Sequence, residues 1–170
     1  MNFSGKVAVV TGAASGMGLL FCQKFADLDG TAVLVDVNGA AACAAADDIC
    51  KKHPGHAAGV ACDVRSYEQI TAVRDWVVKT FGHIDVLVNF AGGAETRMLG
   101  VSGEFPDIPI SVYDWGIDVN LKGQFYFDHA VIKQMREQKS GVIVNIGSIT
   151  GEEGCAWNVA YSTSKSGVMN

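Results

Sequence analysis

Five short apolar runs, Val7 to Val10, Ala32 to Val35, Gly59 to Cys62, Ile84 to Val88 and Val142 to Ile146, recur along this chain with room for a helix after each. Apolar residues follow one another within them instead of alternating with polar ones, the pattern of strands covered on both faces. Parallel strands acquire such covers from the helices that cross between them. Helical patterns fall at about 16–29, 39–53, 67–81, 111–138 (one segment or two) and 158–170. The alternation predicts an α/β fold, a doubly wound parallel sheet. Gly92 to Pro109, with Gly93, Gly100, Gly103 and Pro106 between, is expected to be a long loop walling or covering a pocket. With 170 residues, 49% of them hydrophobic, the chain reads as a single domain with material for a real core.

Thr11-Gly12-Ala13-Ala14-Ser15-Gly16-Met17-Gly18 joins the first strand to the first helix. Glycines at such a junction let the backbone turn tightly and approach a pyrophosphate, while the helix start offers unpaired N–H groups and partial positive charge. The spacing is G-x-x-x-G-x-G, which departs from G-x-G-x-x-G, so its weight comes from the strand-turn-helix context. Asp36 closes the second strand, where a carboxylate accepts hydrogen bonds from adenosine ribose hydroxyls. That charge repels a 2'-phosphate, and neither Ser15 nor Val37-Asn38 supplies a cation to attract one, so NAD is expected over NADP. The plainer reading of Asp36 is an acid that ends a strand or caps a helix.

Near the end of the chain, Tyr161 and Lys165 stand four apart in a helical pattern, with Ser148 thirteen residues before Tyr161 at the end of a strand-like run. The i, i+4 spacing sets a phenol beside an ammonium, whose charge favours phenolate. Moving a tyrosine pKa from about 10 to near 7 takes roughly 4 kcal/mol. One positive charge at about 4 Å in an effective dielectric of about 20 supplies roughly that much before desolvation. Alone, a Tyr-x-x-x-Lys pair also fits a solvated helix face.

A net charge of -5 without basic runs argues against nucleic acid or an anionic membrane as partner. No apolar stretch is long enough to span a bilayer, and the start enters a strand pattern without a secretion signal, so a cytoplasmic location is expected. Cys22, Cys43, Cys50, Cys62 and Cys155 contain no C-x-x-C pair and read as reduced, packed thiols. His53, His56, His83 and His129 form no ligand cluster, so no metal is expected. The last helical pattern is still running at Asn170, with neither a glycine stop nor a closing strand, and the polypeptide is expected to continue.

Thr11 to Gly18, Asp36, Asp63-Val64, Asn89-Phe90-Ala91-Gly92, Asn120, Ser148 and Tyr161-x-x-x-Lys165 together resemble the short-chain dehydrogenase/reductase family in order and spacing, over nearly the whole chain. The resemblance implies a Rossmann-like sheet of strand order 3-2-1-4-5 whose C-terminal elements in complete family members, which hold the nicotinamide amide and cover the substrate, have no counterpart in these 170 residues. Gly12, Ser15, Gly16, Met17 and Gly18 would then hold the pyrophosphate. Asp36 would take the ribose, Asp63 the adenine amino group and Val64 the ring. Asn89, Ala91 and Gly92 would line the adenosine side, with Asn89 chiefly tying the central strands together. Phe90 departs from the usual Asn-Asn-Ala-Gly and is expected to alter packing more than chemistry.

The implied reaction is hydride transfer between NAD and a secondary alcohol or its ketone. Tyr161 is the acid/base, Lys165 lowers its pKa and holds the nicotinamide ribose, Ser148 orients the reacting oxygen, and Asn120 holds a water leading to Lys165. The alternatives are a nucleotide-sugar epimerase or dehydratase, which also pairs Tyr with Lys, and a truncated or inactive dinucleotide-binding protein without turnover. Glu95, Arg97, Glu152, Glu153 and Trp157 are expected on loops flanking the substrate, suiting a polyol or sugar, or simply solvated. A homo-oligomer, dimer or tetramer, is a family expectation for which Phe125, Tyr126, Phe127, Val131 and Met135 offer a face, although core packing uses the same residues.

Overall fold

The structure, a computed structural model, describes residues 2–170. Strands β1 (Val7–Thr11), β2 (Thr31–Asp36), β3 (Ala57–Ala61), β4 (Val86–Asn89) and β5 (Val142–Asn145) form one sheet of order β3-β2-β1-β4-β5. Every pairing is parallel; Val9, for instance, faces Val33 on one side and Leu87 on the other. The order reverses at β1, which neighbours both β2 and β4, and a crevice opens beyond the strand ends at that reversal.

Both faces of the central strands are buried, which explains the unbroken apolar runs. Val7, Val9, Val33 and Val35 point into one core layer with residues of α3 (Tyr67–Phe81) and α6 (Gly123–Gln138), among them Ile70, Val77 and Phe127. Ala8, Val10, Ala32 and Leu34 point the other way, onto Cys22, Phe25, Ala42 and Ile49 of α1 (Gly16–Ala26) and α2 (Gly39–Lys52). Phe127, Val131 and Met135 of α6 are core residues, whereas Phe125 and Ile132 are exposed on its outer side.

Element boundaries differ from the sequence expectation where side chains intervene. The fourth strand begins at Val86 instead of Ile84, whose N–H donates to Gln138 Oε1 at 3.1 Å and whose carbonyl accepts from Gln138 Nε2 at 2.8 Å, so a side chain of α6 takes the backbone groups that a neighbouring strand would need. The expected loop at 92–109 contains a short helix, α4 (Glu95–Leu99), and a 3-10 turn, Phe105–Asp107. The 111–138 pattern divides into α5 (Ile110–Ile117) and α6, joined by a π-helical turn at Asp118–Lys122. Beyond β5 come α7 (Thr150–Glu153) and α8 (Val159–Met169), the latter carrying Tyr161 and Lys165.

Candidate active site

A cavity of about 270 Å³ lies at the topological reversal, lined by Gly12 and Ser15 of the glycine turn, Asp36-Val37 after β2, Cys62 to Arg65 after β3, and Phe90 to Gly92 after β4. Met98 of α4 and Trp115 and Val119 of the α5 region complete it. The glycine turn is shaped by close backbone approach: a Cβ at Gly12, whose φ is +65°, would stand 2.7 Å from Ala91 N, and one at Gly18 would strike the Gly12 carbonyl. Ser15 starts α1 without a side-chain cap, leaving the helix start open to an anion. Gly16 and Met17 are exposed in the first turn and Gly18 is buried behind it.

Asp36 accepts from Ala14 N–H at 3.1 Å and Asn38 N–H at 2.9 Å, so the turn itself aims this carboxylate at the cavity. Asp63 is held by Arg65, whose Nε lies 3.0 Å from both oxygens and whose Nη2 lies 2.6 Å from Oδ2. The Arg65 guanidinium keeps the Asp63 carboxyl below its ordinary range. Sequence reasoning missed Arg65; its place two residues after an acid at a strand end was the available signal. Burial pushes the Cys62 thiol up to about 12, so this cavity cysteine stays protonated and inert.

Asn89 lies behind the cavity wall, not in it. Its Nδ2 donates to Asp128 Oδ1 at 2.9 Å and Asn145 Oδ1 at 2.8 Å, and Thr11 Oγ1 lies 3.4 Å from its Oδ1. Asn145 Nδ2 also donates to Asp128, at 2.7 Å, while Ala91 N–H donates to Thr11 Oγ1 at 3.1 Å. This network ties the ends of β1, β4 and β5 to α6 in a half-buried setting where unpaired polar atoms are costly. Phe90 packs on α1, its ring 6.2 Å from that of Phe21.

Asn120 is fully buried in the π-helical turn. Its Nδ2 donates to Gly93 O at 3.0 Å and Gly116 O at 2.8 Å, and its Oδ1 accepts from Gly93 N–H at 2.8 Å. The side chain therefore fixes the bend and the strand-end loop, with both amide hydrogens already committed. Lys165 is also buried; its Nζ lies 5.6 Å from the Tyr161 ring centroid and donates to Ile146 O at 2.5 Å. Burial lowers its pKa from 10.5 to about 8. Tyr161 is half-buried on the same helix. Ser148 Oγ accepts from Thr150 N–H at 3.3 Å and pairs with Thr150 Oγ1 at 3.0 Å, bonds that belong to its own turn.

The loop residues separate sharply. Arg97, Glu152, Glu153 and Trp157 are exposed, but Glu95 is fully buried and faces the backbone of α8, so it is withdrawn from any substrate or solvent role. Its signal in the sequence was absent, since an acid in a glycine-rich loop ordinarily faces water.

A family model described as short chain dehydrogenase matches residues 6–170. The chain belongs to that family. It is 38% identical to D-threitol dehydrogenase of Mycolicibacterium smegmatis, over 99% of this chain and 62% of the relative. It is 33% identical to 2-dehydro-3-deoxy-L-rhamnonate dehydrogenase (NAD(+)) of a Sphingomonas species, over 99% and 64%. The crystal structure of an NAD+-bound xylitol dehydrogenase superposes with a TM-score of 0.88 at 34% identity, covering 99% of this chain and 63% of that one. The chain thus spans somewhat under two thirds of the length of these relatives. Among the described residues, no helix is long and apolar enough to cross a membrane.

Proposed function

We propose that this chain carries the dinucleotide-binding and proton-transferring part of an NAD-dependent oxidoreductase that interconverts a secondary alcohol and its ketone. The observation that carries the reading is the buried Lys165 ammonium held beside Tyr161 by the carbonyl that follows β5, the strand that pairs with β4, in a fold whose glycine turn and Asp36 line a cavity at the strand ends. The cavity fits the adenosine half of NAD, since its floor is glycine where the backbone must come close and its far end presents carboxylates, Asp36 to ribose hydroxyls and Asp63 to an adenine amine. NAD, when bound, supplies the hydride acceptor or donor.

In the oxidative direction, the Tyr161 phenolate takes the hydroxyl proton of the substrate, and in reduction the phenol returns it. Lys165 stabilises the phenolate and donates to the nicotinamide ribose. Ser148 turns its hydroxyl toward the reacting oxygen and steadies the charge that develops there. Because both amide hydrogens of the Asn120 side chain are committed to Gly93 and Gly116, this side chain does not donate to a water leading to Lys165. The names of the threitol and xylitol relatives support a polyhydroxylated alcohol as the substrate class. The exposed Phe125 and Ile132 support pairing of α6 in a homo-oligomer.

The test is Tyr161→Phe in the full chain, with polyols and NAD+. Turnover should fall by about 10³-fold or more while NADH binding, followed by fluorescence, stays near the wild-type value. A variant that keeps its rate refutes the assignment.

A further inference from the structure

Among the described residues, Glu95 is the only acid whose side chain is fully withdrawn from solvent. Its two oxygens accept from consecutive amides at the start of α8: Oε1 from Ala160 N–H at 3.0 Å and Oε2 from Tyr161 N–H at 3.1 Å. These amides are among the first four of a helix, which have no partner within it. Asn158, at the N-cap position, makes no cap bond to them. Its Oδ1 accepts instead from Thr96 Oγ1 at 3.1 Å, so neighbouring residues of α4 hold both the cap residue and the amides it leaves free. Gly116 of α5 closes the contact: a Cβ there would stand 2.8 Å from Ala160 Cβ and 3.1 Å from Glu95 Cβ. A carboxylate at the positive end of the helix dipole, shielded from water on this side, is a strong cap.

We infer that Glu95 is a positioning residue, which caps α8 from a separate segment of the chain and so fixes the backbone from which Tyr161 and Lys165 project. It touches no substrate, because both its oxygens face the helix. Its link to α4 also couples the strand-end loop of the dinucleotide cavity, through Gly93, Asn120 and Gly116, to the start of the helix bearing the acid/base. The catalytic consequence rests on the oxidoreductase reading; the capping itself does not.

The experiment compares Glu95→Gln, which keeps the shape but turns an NH₂ group toward one amide, with Glu95→Ala in the full chain. Exchange of the Ala160 and Tyr161 amides should accelerate by about tenfold. The kcat for the alcohol should fall by about 10- to 100-fold, with Glu95→Gln the milder of the two. The NADH dissociation constant should change less than kcat, because Gly12, Asp36 and Asp63 supply most of that binding from other elements and only the Lys165 contact to the ribose rests on α8. A purely structural role would lower the melting temperature and leave kcat intact at temperatures where the variant is folded. That result, or unchanged amide exchange, overturns the inference. Should Glu95→Ala fail to fold, Glu95→Gln decides. A wild-type chain without turnover refutes the oxidoreductase reading, and amide exchange then still decides whether Glu95 holds the helix.

Discussion

Lys165 Nζ donates to the carbonyl oxygen of Ile146 at 2.5 Å, binding the middle of α8 to the residue that follows β5. The bond holds the ammonium near Tyr161, but it satisfies only one of three donors on a buried charge, and burial lowers the pKa from 10.5 to about 8. Folded protein therefore releases this proton near pH 8, whereas the unfolded chain keeps it to about 10.5. Between those values the unfolded state binds more protons, so the contribution of Lys165 to stability rises with pH; below about pH 8 the cost of the buried charge is borne in full. Urea unfolding of wild type and Lys165→Met across pH 7 to 10.5 checks this, because other titrations cancel in the difference. Wild type should gain on the variant as pH rises through that window, and parallel curves would contradict the assignment.

Asp36 and Arg65 meet the same cavity with opposite charge. With Asp36 in place, a 2'-phosphate meets a carboxylate that the glycine turn aims inward; without it that repulsion is gone, and the cavity keeps the Asp63–Arg65 ion pair, in which the two charges offset each other. Asp36→Ala should weaken NADH binding by about 10- to 100-fold, the loss of charged hydrogen bonds to the ribose, and NADPH binding by much less. Titrating both nucleotides into both proteins gives the ratio directly, and a ratio unchanged from wild type would mean that Asp36 does not discriminate between them.

Much of this arrangement was legible in the sequence, and the reason differs from residue to residue. The strands could be read because apolar residues follow one another in each; in β1 this reflects burial on both faces, Val9 and Val10 entering opposite core layers, whereas in β5 Val142 and Val144 are exposed. The glycine turn and Asp36 could be read because their spacing follows from backbone geometry between adjacent elements. Glu95 could not, since its capping of α8 depends on a tertiary approach that no local pattern encodes, whereas Arg65 was overlooked although its partner Asp63 stands only two residues away. Asn120 illustrates the middle case. Its position was expected, but the commitment of its whole amide to Gly93 and Gly116 emerged only from the packing of the π-helical turn against the strand-end loop.

Gly12 allows a direct test of the cavity floor. Its φ of +65° disfavours any side chain, and the nearest neighbour of an added Cβ is backbone, Ala91 N at 2.7 Å, which cannot rotate away. Gly12→Ala should cost about 1–3 kcal/mol in urea unfolding and should weaken NADH binding as the turn shifts outward. Gly55, whose φ of +81° is matched by open space around it, is the control: Gly55→Ala should lose stability through backbone strain alone and leave NADH binding unchanged.

The polar network behind the cavity wall has a direction that can be reversed. Asp128 accepts on both oxygens, from Asn89 Nδ2 at 2.9 Å and Asn145 Nδ2 at 2.7 Å, while Asn145 Oδ1 accepts the other Asn89 bond at 2.8 Å. Asp128→Asn would turn an NH₂ group toward the Asn145 amide, donor against donor, and should destabilise the fold by about 1–3 kcal/mol. Exchanging the two residues, Asp128→Asn with Asn145→Asp, restores each bond: Asn89 still donates to both, and the amide at 128 donates to the carboxylate at 145. The double variant should therefore recover most of the loss, giving a coupling energy of about 1 kcal/mol or more in a double-mutant cycle. Independent, additive losses would show that these side chains stabilise the sheet separately, and that the strand ends flanking Ala91 and Gly92 are not held by one connected network.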